Sequence, residues 1–269
     1  MVNVINWVEL RKLMLSSTHR LDCTNASYWD KCANNYNENM PQMAELTQNQ
    51  LNRIQIQPQD TLLEVGAGNG RLTVPLAKKA QAVTALEPSK NMLEFLKTNA
   101  ENAGVHNINC INKSLEDFNP EESVGCFDVV VASFSFFMLD MEKALAKMNA
   151  FASNRVYLFL SASRWLDEPE LQKLVHHEST SFWADYVYVY NVLYDLDITA
   201  NIDVWSYTSK QGFNSLDEAV SRFSEIYSIP SIKEDALKAY LQKTLVEDNG
   251  KLWFIRNRKA AMIWWNKPQ

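Results

Sequence analysis

Beyond residue 60 the chain alternates short apolar runs with amphipathic stretches. "TLLEV", "AVTALE", "INCINKS", "FDVVVAS" and "RVYLFLSA" read as strands, and residues 71–79, "SKNMLEFLKTNAENAG" and "MEKALAKMNAFA" read as the helices between them. Such alternation predicts an α/β fold, a mostly parallel sheet with helices on both faces. Pro75 lies inside the first of these helices, close enough to its start to be tolerated. Residues 1–60 carry helical spacing instead: Val4, Val8, Leu10, Leu13 and Met14, then a helix over 41–55 with Met43, Leu46, Leu51 and Ile54. After residue 163 the alternation stops. Residues 164–196 read as helical and aromatic, "ANIDVWSY" as a strand, and 215–226 and 231–246 as helices. "KLWFIRNRKAAMIWW" reads as a closing β-hairpin turning near Asn257 and Arg258, with Trp264 and Trp265 in its core. The expected units are a helical cap (1–60), the α/β core (61–163), a helical insertion (164–197) and a segment that completes the sheet (198–269).

The chain has only seven glycines, and three stand in five residues, at Gly66, Gly68 and Gly70. A glycine turn between a strand and a helix lets a ligand lie against the backbone, where the helix start offers unpaired N–H groups. The dinucleotide fingerprint needs a glycine at position 71, which is Arg71 here. Glu64 ends the strand two residues before the first glycine; it would repel a pyrophosphate and attract a ligand bearing an ammonium and a sulfonium. Glu87 closes the next strand, where a carboxylate can accept both hydroxyls of an unphosphorylated ribose. Ser114, Leu115, Glu116 and Asp117 follow the third strand, placed to flank an adenine. Asp128 enters the fourth strand, and Ser133, Phe134 and Ser135 leave it.

A formal net charge of −6 without a basic run gives no footprint for general nucleic-acid binding. Cys23, Cys32, Cys110 and Cys126 form no CxxC pair and read as reduced thiols. His19, Cys23 and Cys32 lack the second ligand pair a metal site needs, so no metal is expected. "MVNVINWVELRKLM" does not read as a signal peptide, and no run of about 18 apolar residues could span a membrane. A cytoplasmic protein is expected.

Together the residues resemble the class I S-adenosylmethionine-dependent methyltransferases over roughly 28–163. The resemblance implies a Rossmann-like, doubly wound, mostly parallel seven-stranded sheet, with N-terminal helices, a helical insertion after the fifth strand and a C-terminal antiparallel hairpin. It implies S-adenosylmethionine as cofactor: its methionine part at Glu64, Gly66, Ala67, Gly68 and Gly70, its ribose at Glu87 beside Pro88, its adenine against Met92, Leu115 and Glu116, and its sulfonium passing Ser133 and Phe134. "YWDKCANNYNE" is similar to a helix that precedes the core in small-molecule members, where Tyr28, Trp29 and Tyr36 would close over the cofactor.

"ASFSFFML" lacks the Asn/Asp-Pro-Pro-Tyr motif of members that methylate amide or exocyclic amino nitrogens, and places Phe136 and Phe137 where small-molecule members often carry histidines. A small-molecule acceptor is expected, with no nucleic-acid or membrane partner; the oligomeric state is open. The insertion holds Trp183, Tyr186, Tyr190 and Tyr194 at helical spacing, either a buried aromatic stripe or a lid over the acceptor. His176, His177 and Tyr190 are the candidates for catalysis, and none is assigned. Two other readings remain, a noncatalytic cofactor-binding sensor or scaffold and a nicotinamide-dependent oxidoreductase; Arg71 and Glu64 oppose the latter.

Overall fold

The computed structural model describes residues 5–16, 22–119, 127–163, 168–174, 185–227 and 229–267. Five parallel strands run where the apolar runs predict them: β1 (Thr61–Val65), β2 (Ala82–Leu86), β3 (Ile108–Ile111), β4 (Phe127–Ser133) and β5 (Ala152–Ser161). Two long antiparallel strands, β6 (Asn201–Phe213) and β8 (Lys251–Asn266), extend the sheet to the order β3-β2-β1-β4-β5-β8-β6. A short β7 (Val246–Asp248) pairs with β8 outside that path, as an eighth strand.

The period of two along each strand sorts its side chains between two cores. Leu63, Val65, Val130, Ala132, Val156, Leu158, Ile263 and Trp265 face one side, under α1 (Trp7–Ser16), α6 (Met141–Phe151) and α8 (Asp185–Asp195). Leu62, Val129, Val131, Tyr157, Phe159 and Met262 face the other, under α3 (Ala44–Leu51) and α4 (Thr73–Ala77). Glu64 lies between Leu63 and Val65 in β1 and is 1% exposed, so an ionisable carboxyl occupies a position that strand periodicity gives to core. A third cluster, Phe213, Phe223, Phe254 and Leu237, joins α9 (Leu216–Tyr227) and α10 (Glu234–Thr244) to the far ends of β6 and β8.

Four expectations are corrected. The helix over 41–55 divides into a 3-10 turn at Met40–Met43 and the shorter α3. The helix over 71–79 shrinks to α4, whose third residue is Pro75; that places the missing N–H in the first turn, where no intrahelical partner is lost. The C-terminal hairpin is a single sixteen-residue strand. Its second half pairs with β5 and nearly its whole length pairs with β6, Asn257 opposite Thr208 and Arg258 opposite Tyr207. Asn257 and Arg258 look like a turn because that stretch overhangs the core and has only one neighbour. The real turn comes earlier, at Asn249 (φ 52°) and Gly250 (φ 73°), joining β7 to β8. In α8, Tyr190 and Tyr194 are 36% and 76% exposed, while Tyr188, Val189, Val192 and Leu193 are the buried face; the aromatic residues there do not form a buried stripe. Trp183, His176, His177, His19 and Cys126 lie outside the described residues.

Trp265 is 2% exposed, and its indole N–H donates to Asn149 Oδ1 at 2.9 Å, tying β8 to α6. Trp265→Ala should cost about 3–5 kcal/mol in urea denaturation, against less than about 0.5 kcal/mol for Ile232→Ala at an 87% exposed position.

Candidate active site

The loops after β1 and β4 leave the sheet in opposite directions, and a cavity of about 640 Å³ opens there, at the carboxyl ends of the strands. It falls within the range of small-molecule sites, about 300–1,000 Å³. Its floor is the glycine loop. Gly66 (φ 70°) could not be another residue without a clash, because a Cβ there would lie 2.3 Å from the Ser135 Cβ; the Ser135 hydroxyl in turn donates to the Val65 carbonyl. At Gly68 (φ 58°) a Cβ would meet nothing within 4 Å, so the bare backbone faces open space. Gly70 has a different reason, packing against Leu96 and Val74.

Glu87, 5% exposed, ties this floor to the next element. Its Oε2 accepts the Gly68 N–H and its Oε1 the Ser89 N–H, both at 2.8 Å. Burial raises its pKa, and the two backbone bonds pull it back. Ser89 then caps α5 (Lys90–Asn102) by accepting the Met92 N–H, which sets Met92 on the cavity wall. Leu115 and Glu116 line the same end. Beneath the loop, Glu64 has its pKa raised to about 7 by burial, against the opposing influence of Thr73 and Arg71, and its Oε2 has no hydrogen-bond partner.

α2 (Ala26–Glu38) roofs the cavity. Asp30 Oδ1 accepts from the Ser89 hydroxyl (2.6 Å) and the Asn91 N–H (3.1 Å), and Asn37 Oδ1 accepts from the side chains of Asn69 and Asn99, both at 3.0 Å. Polar contacts thus dock α2 onto the glycine loop and α5. The Trp29 ring lies 6.4 Å from Tyr36 and 5.7 Å from Phe137, bridging α2 to the loop after β4. From the other side, buried Arg11 of α1 donates to the carbonyls of Met138 (2.8 Å) and Phe136, holding that loop in place. Phe134 there has φ 54°, a conformation uncommon for a side chain of its bulk.

The structure brings to one cavity wall Trp29, Tyr36, Gly66, Gly68, Glu87 and Pro88, and with them Met92, Leu115, Glu116, Ser133 and Phe134. Tyr28, Glu64, Ala67 and Gly70 lie behind the wall: Tyr28 is placed near Cys23 and Cys32, and its hydroxyl is pushed above its ordinary pKa mainly by burial. Tyr190 is not on the wall. Phe136 is 4% exposed and packs under Arg11, whereas Phe137 lines the cavity.

Sequence reasoning passed over Arg71 as a cavity residue. Its Nη1 donates to Thr47 Oγ1 (2.7 Å) and Gln50 Oε1 (2.8 Å), and its Nη2 to Ser133 Oγ (2.9 Å). The departure of Arg71 from the glycine fingerprint was the available signal. Tyr207 lines the wall from β6, far along the chain, and nothing local in the sequence marks it.

The residues fit S-adenosylmethionine on observations of this structure: an open backbone cradle at Gly68, an unpartnered buried carboxyl oxygen beneath it, and a second carboxylate fixed one strand away. Among the described residues no group of three or more metal-ligating side chains occurs, and no helix is long and apolar enough to cross a membrane.

Residues 62–154 match the family described as "Methyltransferase domain". An uncharacterized protein of Haemophilus influenzae is 29% identical over 88% of both chains. A mitochondrial ribosomal RNA small subunit methyltransferase of Arabidopsis thaliana is 28% identical over 77% of this chain and 52% of its own length. The crystal structure of the YcgJ protein from Bacillus subtilis is similar in fold, with a TM-score of 0.56 at 14% identity, covering 83% of this chain and 98% of that one. The strand order and the glycine cradle agree with that match to a methyltransferase domain over residues 62–154.

Proposed function

We propose that the chain transfers a methyl group from S-adenosylmethionine to a small-molecule acceptor held in the same cavity. The observation that carries this reading is the continuity of the cavity, which runs from Glu87 and Met92, past Ser133 and Phe134, to Met43, Leu46 and Tyr207 on α3 and β6. One end suits an adenosine, and the other leaves room for a second molecule. When bound, the cofactor supplies a methyl group on a sulfonium, ready for in-line displacement.

The chain's residues supply position and dryness. Glu87 holds the ribose hydroxyls, and its backbone bonds keep both the carboxylate and the Gly68 cradle oriented before the ligand arrives. Met92 and Leu115 pack the adenine. Glu64, buried under the loop, favours the ammonium of the methionine part. Trp29, Tyr36 and Phe137 exclude water above the reacting atoms. No side chain needs to act as a base if the acceptor atom is already unprotonated. The net charge of −6 without a basic run favours a small molecule over the RNA named for one relative.

Calorimetric titration should show binding of S-adenosylmethionine and its demethylated product and no binding of NAD, and Glu87→Ala should weaken the first two by about 10²-fold, about 2.7 kcal/mol. Binding of NAD alone would refute the assignment. A second measurement follows from Glu64. Its pKa in the fold is raised, so the stability it contributes is present at low pH and is lost as pH rises through about 7, where the buried carboxyl ionises. A cationic ligand above it prefers the ionised form. Affinity for S-adenosylmethionine should therefore rise about 5- to 10-fold from about pH 6 to about pH 7.5. Glu64→Gln should flatten that profile, as read by calorimetry.

A further inference from the structure

The adenosine end holds Glu87 and Glu116 together with Lys113, with Glu64 beneath the glycine loop, and Asp140 lines the cavity from the loop after β4. The opposite end is bounded by α3 and β6, and its charged wall residue is Arg71, 8% exposed. Three of the five N–H groups of Arg71 go to neutral acceptors, Thr47, Gln50 and Ser133, which leaves the Nε N–H and one Nη2 N–H for a further acceptor. Among the described residues no carboxylate lies within ion-pair distance of it; Glu64 is close enough to feel its charge, but its pKa near 7 leaves that compensation incomplete. A guanidinium buried among neutral partners is costly unless an anion joins it.

A second cavity of about 220 Å³ adjoins this corner, sharing Tyr36, Met43, Leu46 and Tyr207 with the first. Its remaining lining is polar, including Asn39, Gln42, Ser209 and Lys210, and contains no acid. Lys210 is exposed there and forms no ion pair among the described residues. The second cavity, separated from the Arg71 corner by the four shared residues, is thus neutral to cationic in a chain whose overall charge is negative.

We propose that the methyl acceptor carries a carboxylate, that it enters through this second cavity, and that its carboxylate seats on Arg71. This rests on the methyltransferase reading above. The planar fork of Arg71 suits two carboxylate oxygens, and the hydroxyls of Thr47 and Ser133, which now accept from it, can rotate to donate to the anion. Tyr207, close enough to feel the Arg71 charge, is a further hydroxyl on the same wall. The carboxylate serves as anchor, and the apolar residues Met43 and Leu46 flank the body of the acceptor.

The test titrates matched acids and primary amides (benzoate against benzamide, phenylacetate against phenylacetamide, hexanoate against hexanamide) into the whole protein, with and without S-adenosylhomocysteine. At least one acid should bind about tenfold or more tighter than its amide. Arg71→Gln should abolish that preference, Arg71→Lys should restore part of it, and Lys210→Gln should weaken acid binding several-fold. In the Glu64→Gln background, which removes the influence of Arg71 on that carboxyl, affinity for S-adenosylhomocysteine should change by no more than about twofold on Arg71→Gln, which also reports that the variant is folded. Acids binding no better than amides, or acid binding indifferent to Arg71, would overturn the proposal. So would a tenfold loss of S-adenosylmethionine affinity on Arg71→Gln in that Glu64→Gln background with 5′-methylthioadenosine unaffected, since Arg71 would then serve the cofactor's own carboxylate. Acid binding through Arg71 in a protein that binds no S-adenosylhomocysteine would instead remove the methyl-transfer reading and leave the anion seat standing.

Discussion

The Glu87 carboxylate, between two backbone N–H groups, is the constraint from which the cavity is built. One oxygen fixes Gly68 in the loop after β1, and the other fixes Ser89 at the start of α5. Ser89 also donates to Asp30, so the position of α2, and with it the Trp29 and Tyr36 roof, traces back to the same carboxylate. A buried acid normally resists ionisation; here the backbone bonds offset part of the cost and leave the group oriented in advance of any ligand.

The walls come from separate stretches of chain. α1 reaches over through Arg11 to hold the loop after β4, and α3 and β6 close the side opposite the adenosine end. The floor, the adenosine end, Arg71 and the loop after β4 belong to the segment that matches the methyltransferase family, residues 62–154, whereas α2, α3 and β6 lie outside it.

How much was legible depends on whether a residue's role is set locally. The runs that became β1, β2 and β4 are short, apolar and bounded by turn residues, and they coincide with the strands found. Gly66 and Gly68 announced a backbone approach because glycine is otherwise so scarce in this chain. The C-terminal strand was misread because Asn257 and Arg258 are polar for want of a second neighbour rather than because the chain turns there. Tyr190 and Tyr194 were expected on one helical stripe, yet the helix turns Tyr188 and Val192 inward instead, a choice made by what α8 packs against.

By itself the sequence determined the alternation of strands and helices through β5, the glycine loop, Glu64 near the end of β1 and Glu87 just after β2. Each of these is written within a few residues, in periodicity, glycine placement or strand-end position. Tertiary structure decided what no local pattern encodes: that Arg71 turns toward Thr47, Gln50 and Ser133, that Tyr207 arrives from β6, and that Arg11 braces the loop opposite. Those contacts join residues far apart in the chain. They exist because the sheet and its helices bring together groups whose burial only the folded packing sets.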